Sequence, residues 1–144
     1  MSREKEDLVR GALSSALEVD FGKKGLRLSE WGRSDGLALL LDQTHLILEV
    51  ENTQKHPDTN VLKLWPYLTE NPAISVVLIQ VFVKSHQSLN GSRQRLAGWL
   101  ARKMEQEILR RFKYYQLVFE QPSDLGCEAT LCALREEVHM RQQA

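Results

Sequence analysis

The stretch Ser34–Glu51, SDGLALLLDQTHLILEVE, decides the fold. Two short apolar runs, Leu37–Leu41 and Leu46–Val50, flank the polar break Asp42-Gln43-Thr44-His45, a pattern that predicts two neighbouring strands joined by a tight turn. Successive side chains of a strand point to opposite faces, so Leu46, Leu48 and Val50 share one face while Ile47, Glu49 and Glu51 share the other. Antiparallel pairing returns the start of the first strand, where Asp35 stands, to the end of the second. Asp35, Glu49 and Glu51 are therefore expected to converge at one mouth of the hairpin.

Carboxylates gathered in this way repel one another unless a cation or a proton intervenes. Their hard oxygens suit Mg²⁺ or Mn²⁺. The plainer alternative is a solvent-facing strand end whose acids pair with nearby Lys or Arg.

The order Ser34-Asp35, followed by Glu49-Val50-Glu51 at the end of the next strand, resembles the active-site signature of the PD-(D/E)XK nuclease superfamily, the restriction-endonuclease-like fold. In that signature an Asp opens one strand and an acidic-x-Lys triplet closes the next. This chain departs from it twice. Ser34 replaces the usual Pro, and Glu51 stands where Lys is usual, as it does in some DNA-cleaving members of the superfamily. The resemblance implies a metal ion held by Asp35, Glu49 and the backbone carbonyl of Val50, with Glu51 orienting the attacking water or binding a second ion. Several branches of the superfamily bring a Glu of the first helix into the metal site, which makes Glu18 a further ligand candidate; the ordinary alternative is a solvated acid beside Lys23 or Lys24.

Hydrolysis also needs a group that balances phosphate charge in the transition state. With Glu at position 51, Lys63 and Lys55 are the nearest lysines in sequence. Lys63 is preferred: it precedes Tyr67 by four residues, so both lie on one helical face, similar to the Gln-x-x-x-Tyr motif of some superfamily members. Each lysine also has the reading of an ordinary exposed side chain. Asp58, after Pro57, reads as a helix-start residue, and His56 as a candidate substrate-side contact.

The rest of the chain supplies the surrounding elements. Leu8, Ala12, Leu13, Ala16 and Leu17 predict an amphipathic helix over 3–18, and LRLSEW (26–31) a short strand. A helix opening at Pro57 carries Val61, Leu62, Leu64, Trp65 and Leu68, with Pro66 kinking it or ending it early. ISVVLIQVFV (74–83), apolar on both faces and β-branched, reads as a buried central strand paired in parallel. A helix from Asn90 or Ser92 to about Arg111 follows, with Leu96, Trp99, Leu100, Met104, Ile108 and Phe112 as its apolar stripe. KYYQLVFE (113–120) is a last strand, and 128–140 a closing helix. The expected fold is α/β: a restriction-endonuclease-like αβββαβ core, with a mixed central sheet flanked by helices, in a single domain over 1–144.

Composition agrees with a soluble globular domain: 144 residues, 42% hydrophobic and 26% charged. No apolar run approaches a membrane span and MSREKEDLVR is charged, so a cytoplasmic location without membrane attachment is expected. Nineteen basic residues match nineteen acidic ones, which argues against indiscriminate coating of nucleic acid. Charge is nonetheless uneven: between Asn90 and Lys113 seven basic residues stand against two acids, leaving +5. Cys127 and Cys132 read as small buried hydrophobes. No Ser/His/Asp or Cys/His arrangement suggests a covalent intermediate. The function that the resemblance implies is a metal-dependent nuclease acting on DNA, with homodimerisation as another family trait; the alternative is a catalytically inactive nuclease-like domain serving as a binding or assembly module.

Overall fold

The computed structural model describes residues 2–51, 56–83, 91–119 and 128–143. Strands β1 (Gly36–Leu39) and β2 (His45–Glu51) form the expected antiparallel hairpin, with Gly36 opposite Leu48 and Leu39 opposite His45. Its turn closes through Leu40, whose N–H donates to Thr44 O and whose carbonyl accepts from Gln43, and through Asp42, whose carboxylate accepts the Thr44 N–H. β3 (Val76–Val83) adds to β2 in parallel, and β4 (Phe112–Phe119) adds to β3 in parallel, giving the order β1-β2-β3-β4. The molecule is thus α/β with a four-stranded mixed sheet flanked by helices.

Strand alternation divides the core in two. Leu46, Leu48, Val50, Val77, Ile79 and Val81 face helices α1 (Ser2–Leu17) and α5 (Glu128–Arg141), meeting Val9, Leu13, Leu17, Leu131, Leu134 and Val138. Ile47, Val76 and Leu78 face the other way, toward α2 (Pro57–Leu62), α3 (Leu64–Glu70) and α4 (Ser92–Glu107). Both faces of β3 are covered, so every one of its side chains is buried.

Several elements differ from the sequence expectation. LRLSEW forms no strand: only an isolated bridge joins Arg27 to Arg33, around a 3₁₀ turn at Ser29–Trp31. The helix begun at Pro57 breaks at Lys63, three residues before Pro66. Pro66 cannot donate to the Leu62 carbonyl and its ring would strike it, so the chain restarts and leaves Pro66 in the first turn of α3, where its missing N–H costs nothing. In α4 the buried stripe is Ala97, Ala101 and Met104, with Ile108 just beyond; Leu96 and Trp99 are exposed. Small residues let this helix lie close on the sheet, turning the larger apolar ones outward. Cys132 is exposed, contrary to expectation, and Cys127 lies outside the described residues.

Ser34 makes bonds that a proline at this position could not. Its N–H donates to Leu26 O, which a proline could not do, and its Oγ accepts from Leu26 N and donates to Gly36 O. Gly25 passes so close that a Cβ there would fall 1.6 Å from the Ser34 carbonyl oxygen. Gly25→Ala must therefore displace the backbone that presents Asp35, and is expected to cost about 1–3 kcal/mol, read as a lowered urea midpoint.

Candidate acidic site at the strand ends

Register builds the site. With Gly36 opposite Leu48, the residue before it, Asp35, comes level with Glu49; Glu49 pairs with Gln80, and Gln80 with Gln116. A polar row thus crosses the sheet near the carboxyl ends of its parallel strands, on the face covered by α2 and α4. Ligands of open α/β sheets gather at such strand ends.

Asp35 and β2 are locked together, the Val50 N–H donating to Asp35 Oδ2 at 2.7 Å and the Asp35 N–H to Leu48 O at 3.0 Å. Glu49 is only 2% exposed, and Lys63 Nζ lies 2.7 Å from its Oε2. The same ammonium donates to Arg33 O at 2.7 Å and Asn60 Oδ1 at 2.9 Å, so two of its three protons are hydrogen-bonded, while Glu49 Oε2 is met as an ion pair and is itself buried without a hydrogen bond. Lys63 reaches this position because it stands at the joint between α2 and α3, above the ends of β1 and β2.

Glu51 is fully buried. Its Oε2 accepts from Asn60 Nδ2 and Gln80 Nε2, each at 2.9 Å, while its Oε1 is buried without a hydrogen-bond partner. Gln80 Nε2 also donates to Pro57 O, which ties the start of α2 to the central strand. Tyr114 Oη donates to Gln80 Oε1 and accepts from Gln116 Nε2, and Gln94 Nε2 donates to Gln116 Oε1. This chain leads from Glu51 to a groove on α4 and β4 lined by Gln94, Arg95, Arg102, Tyr114 and Gln116.

Burial governs the electrostatics. It pushes the Glu49 carboxyl well above the usual carboxylate range; Asp35 and Glu51 push the same way, and Lys63 pulls against them. Burial likewise raises Glu51 to about 7, despite the hydrogen bonds from Gln80 and Asn60. The site therefore holds more potential negative charge than Lys63 alone offsets. Its donors, carboxylate oxygens beside a backbone carbonyl, are of the class that hard divalent cations take, and the partnerless Glu51 Oε1 is one of them. Among the described residues, however, no group of three or more His, Cys, Asp or Glu side chains is gathered as a metal site.

The structure brings Asp35, Glu49, Glu51 and Lys63 together but leaves Glu18 elsewhere. Glu18 is exposed just past the end of α1, in a groove with Arg135 and Glu136 of α5. The part of α1 that meets the hairpin mouth is its first half: Arg10 donates to Asp35 O at 2.6 Å while pairing with Glu6 and Asp7. Glu6 feels Asp35 directly, its carboxyl raised first by burial and then by that neighbouring charge. The helix from Glu6 to its end at Leu17 rises about 17 Å away from the mouth, so Glu18 just beyond it is no ligand there.

Gln80, Asn60, Tyr114 and Glu6 were not singled out by sequence. The one available signal was Gln80, a lone amide in an otherwise apolar central strand. Lys55 lies outside the described residues. His56 is exposed at the entry to α2, Asp58 stands in the first turn with Arg93 Nη1 at 3.5 Å, and His45 opens β2 at the far end of the strand. Among the described residues no helix is long and apolar enough to cross a membrane. No protein-family model, curated protein or solved structure matches this chain.

Proposed function

We propose that the chain is a divalent-metal-dependent nuclease of restriction-endonuclease-like architecture, hydrolysing DNA phosphodiester bonds at the Asp35–Glu49 mouth. The observation that carries this reading is the contact between Lys63 Nζ and Glu49 Oε2. The signature lacks Lys at position 51, and a lysine from the following helix supplies an ammonium beside the same acid. In this reading Asp35, Glu49 and the Val50 carbonyl hold Mg²⁺ or Mn²⁺. Such a cation supplies Lewis-acid chemistry, lowering the pKa of a bound water and neutralising phosphate charge. Lys63 offsets the charge that develops on phosphorus. Glu51, titrating near neutrality, is matched to taking a proton from the attacking water. The basic groove on α4 and β4, with Arg95 and Arg102, supports a polyanionic substrate.

The test is incubation with plasmid, branched and single-stranded DNA in Mg²⁺ or Mn²⁺. Cleavage by the parent chain and none above background in Asp35→Ala and Glu49→Ala is expected. Cleavage that persists in both variants overturns the site.

One observation favours a second reading, a catalytically inactive nuclease-like module that binds or assembles: Lys63 already donates twice and pairs with Glu49 within the chain, and Asp35 Oδ2 is occupied by Val50 N–H. Absence of both cleavage and calorimetric Mn²⁺ binding would select it.

A further inference from the structure

Beside the acidic site lies a groove of about 660 Å³ that the polar row does not use, within the range of roughly 300–1,000 Å³ typical of ligand sites. Trp31, Leu62 and Pro66 form its apolar walls, with Arg33, Asn60 and Lys63 on its polar side. Trp31 is 37% exposed and Leu62 47%, although both adjoin well-packed elements. The indole is held in place, its Nε1 donating to Glu70 Oε1 at 3.1 Å. A positioned aromatic ring beside open apolar surface is a stacking platform.

The groove and the acidic site share Lys63, which lines one and contacts Glu49 in the other. The cations on its rim, Arg33 and Lys63, would meet a phosphate where the aromatic and aliphatic walls would meet a flat ring. We propose that this groove receives an unstacked nucleobase next to the phosphate that is cut, so that the substrate is single-stranded or unpaired DNA. A base inside a duplex offers only its edges; its face can meet Trp31 only after it has left the stack. This deepens the nuclease reading and rests on it for the choice of DNA.

The experiment is fluorescence anisotropy with a fluorescein-labelled oligothymidylate and with the same strand annealed to its complement, in EDTA and again in Ca²⁺. Single strands are expected to bind about tenfold tighter than duplex. Trp31→Ala should weaken single-strand binding about tenfold, with Trp31→Phe recovering most of it, in keeping with base-on-ring stacking. Trp99→Ala, exposed on α4 away from the groove, should leave binding unchanged. Equal affinity for duplex, no effect of Trp31→Ala, or no binding of either DNA overturns the proposal. So does a dimer in sedimentation that Leu62→Glu splits into monomers, since a second copy would then occupy the groove. Duplex cleavage that needs Asp35 but ignores Trp31 removes this inference and leaves the nuclease reading standing. Trp31-dependent binding without cleavage in Mg²⁺ or Mn²⁺ overturns the nuclease reading and the cut phosphate with it, and leaves only the base-stacking groove.

Discussion

Lys63→Met is expected to cut DNA cleavage by about 10²–10³-fold and, independently, to lower the stability of the metal-free protein by about 3–5 kcal/mol near neutral to mildly alkaline pH. The first effect follows from the proposed nuclease reading, in which a preorganised positive charge is removed from beside the phosphate. The second follows from burial. Glu49 is 2% exposed, and Lys63 is the cation 2.7 Å from it, so the variant leaves a buried carboxylate unpaired and deprives Arg33 O and Asn60 Oδ1 of a donor. Met keeps the bulk of the lysine stem, which separates charge from packing. The double variant Glu49→Gln/Lys63→Met should recover most of the stability and none of the cleavage. The stability cost should shrink as pH falls, because burial already favours the protonated Glu49. Urea unfolding in EDTA and a plasmid-nicking assay read the two effects separately, and an unchanged urea midpoint would contradict the ion-pair argument.

Glu51→Gln should act on stability in the opposite direction, raising it by about 3 kcal/mol above neutral pH in EDTA. Folding lifts this carboxyl from 4.5 to about 7, so the native state binds the proton more tightly than the unfolded chain does. The acid accordingly costs nothing below its unfolded value, and its cost grows as pH rises from 4.5 to about 7 and then levels off. Glutamine removes that titration. Its amide oxygen can still accept from Asn60 and Gln80, and its NH₂ takes the place of the partnerless oxygen. The two urea midpoints should therefore coincide in acid and diverge across that window. Parallel pH profiles would show that Glu51 is not the group responsible. On the proposed nuclease reading, cleavage should fall in the same variant, since the group proposed to take the water's proton is gone.

Strand parity made the acidic mouth legible in the sequence. Alternation alone put Glu49 and Glu51 on one face, and hairpin closure returned Asp35 to them, because those relations are local and fixed by backbone geometry. Lys63 was legible on another ground, its nearness in sequence and its spacing of four from Tyr67, although the helix that spacing assumes breaks at Lys63 itself. Glu18 failed because a helical pattern tells which face is buried, not which end of the helix meets the hairpin; the contact of Arg10 with Asp35 O decides that. On α4 Met104 is buried as expected, and so is Ile108 just beyond it, but Leu96 and Trp99 are exposed: hydropathy favours them, whereas close packing on a sheet favours Ala97 and Ala101. LRLSEW had strand composition but gained only one bridge, its backbone being spent on the turn that carries Trp31. Pairings between distant segments, such as Asn60 with Glu51 or Tyr114 with Gln80, have no periodic signature at all.

Gln80 has a consequence for how this protein can drift over generations. Its amide serves a carboxylate on β2, a carbonyl at the start of α2 and a phenol on β4, so any aliphatic replacement, though at home by hydropathy in a central strand, would take a hydrogen bond from three groups at once. Exposed residues such as Leu96 bear no such obligation. Natural variation should therefore be slowest at this amide and at the side chains it serves, and when it does occur there, several positions must change in concert.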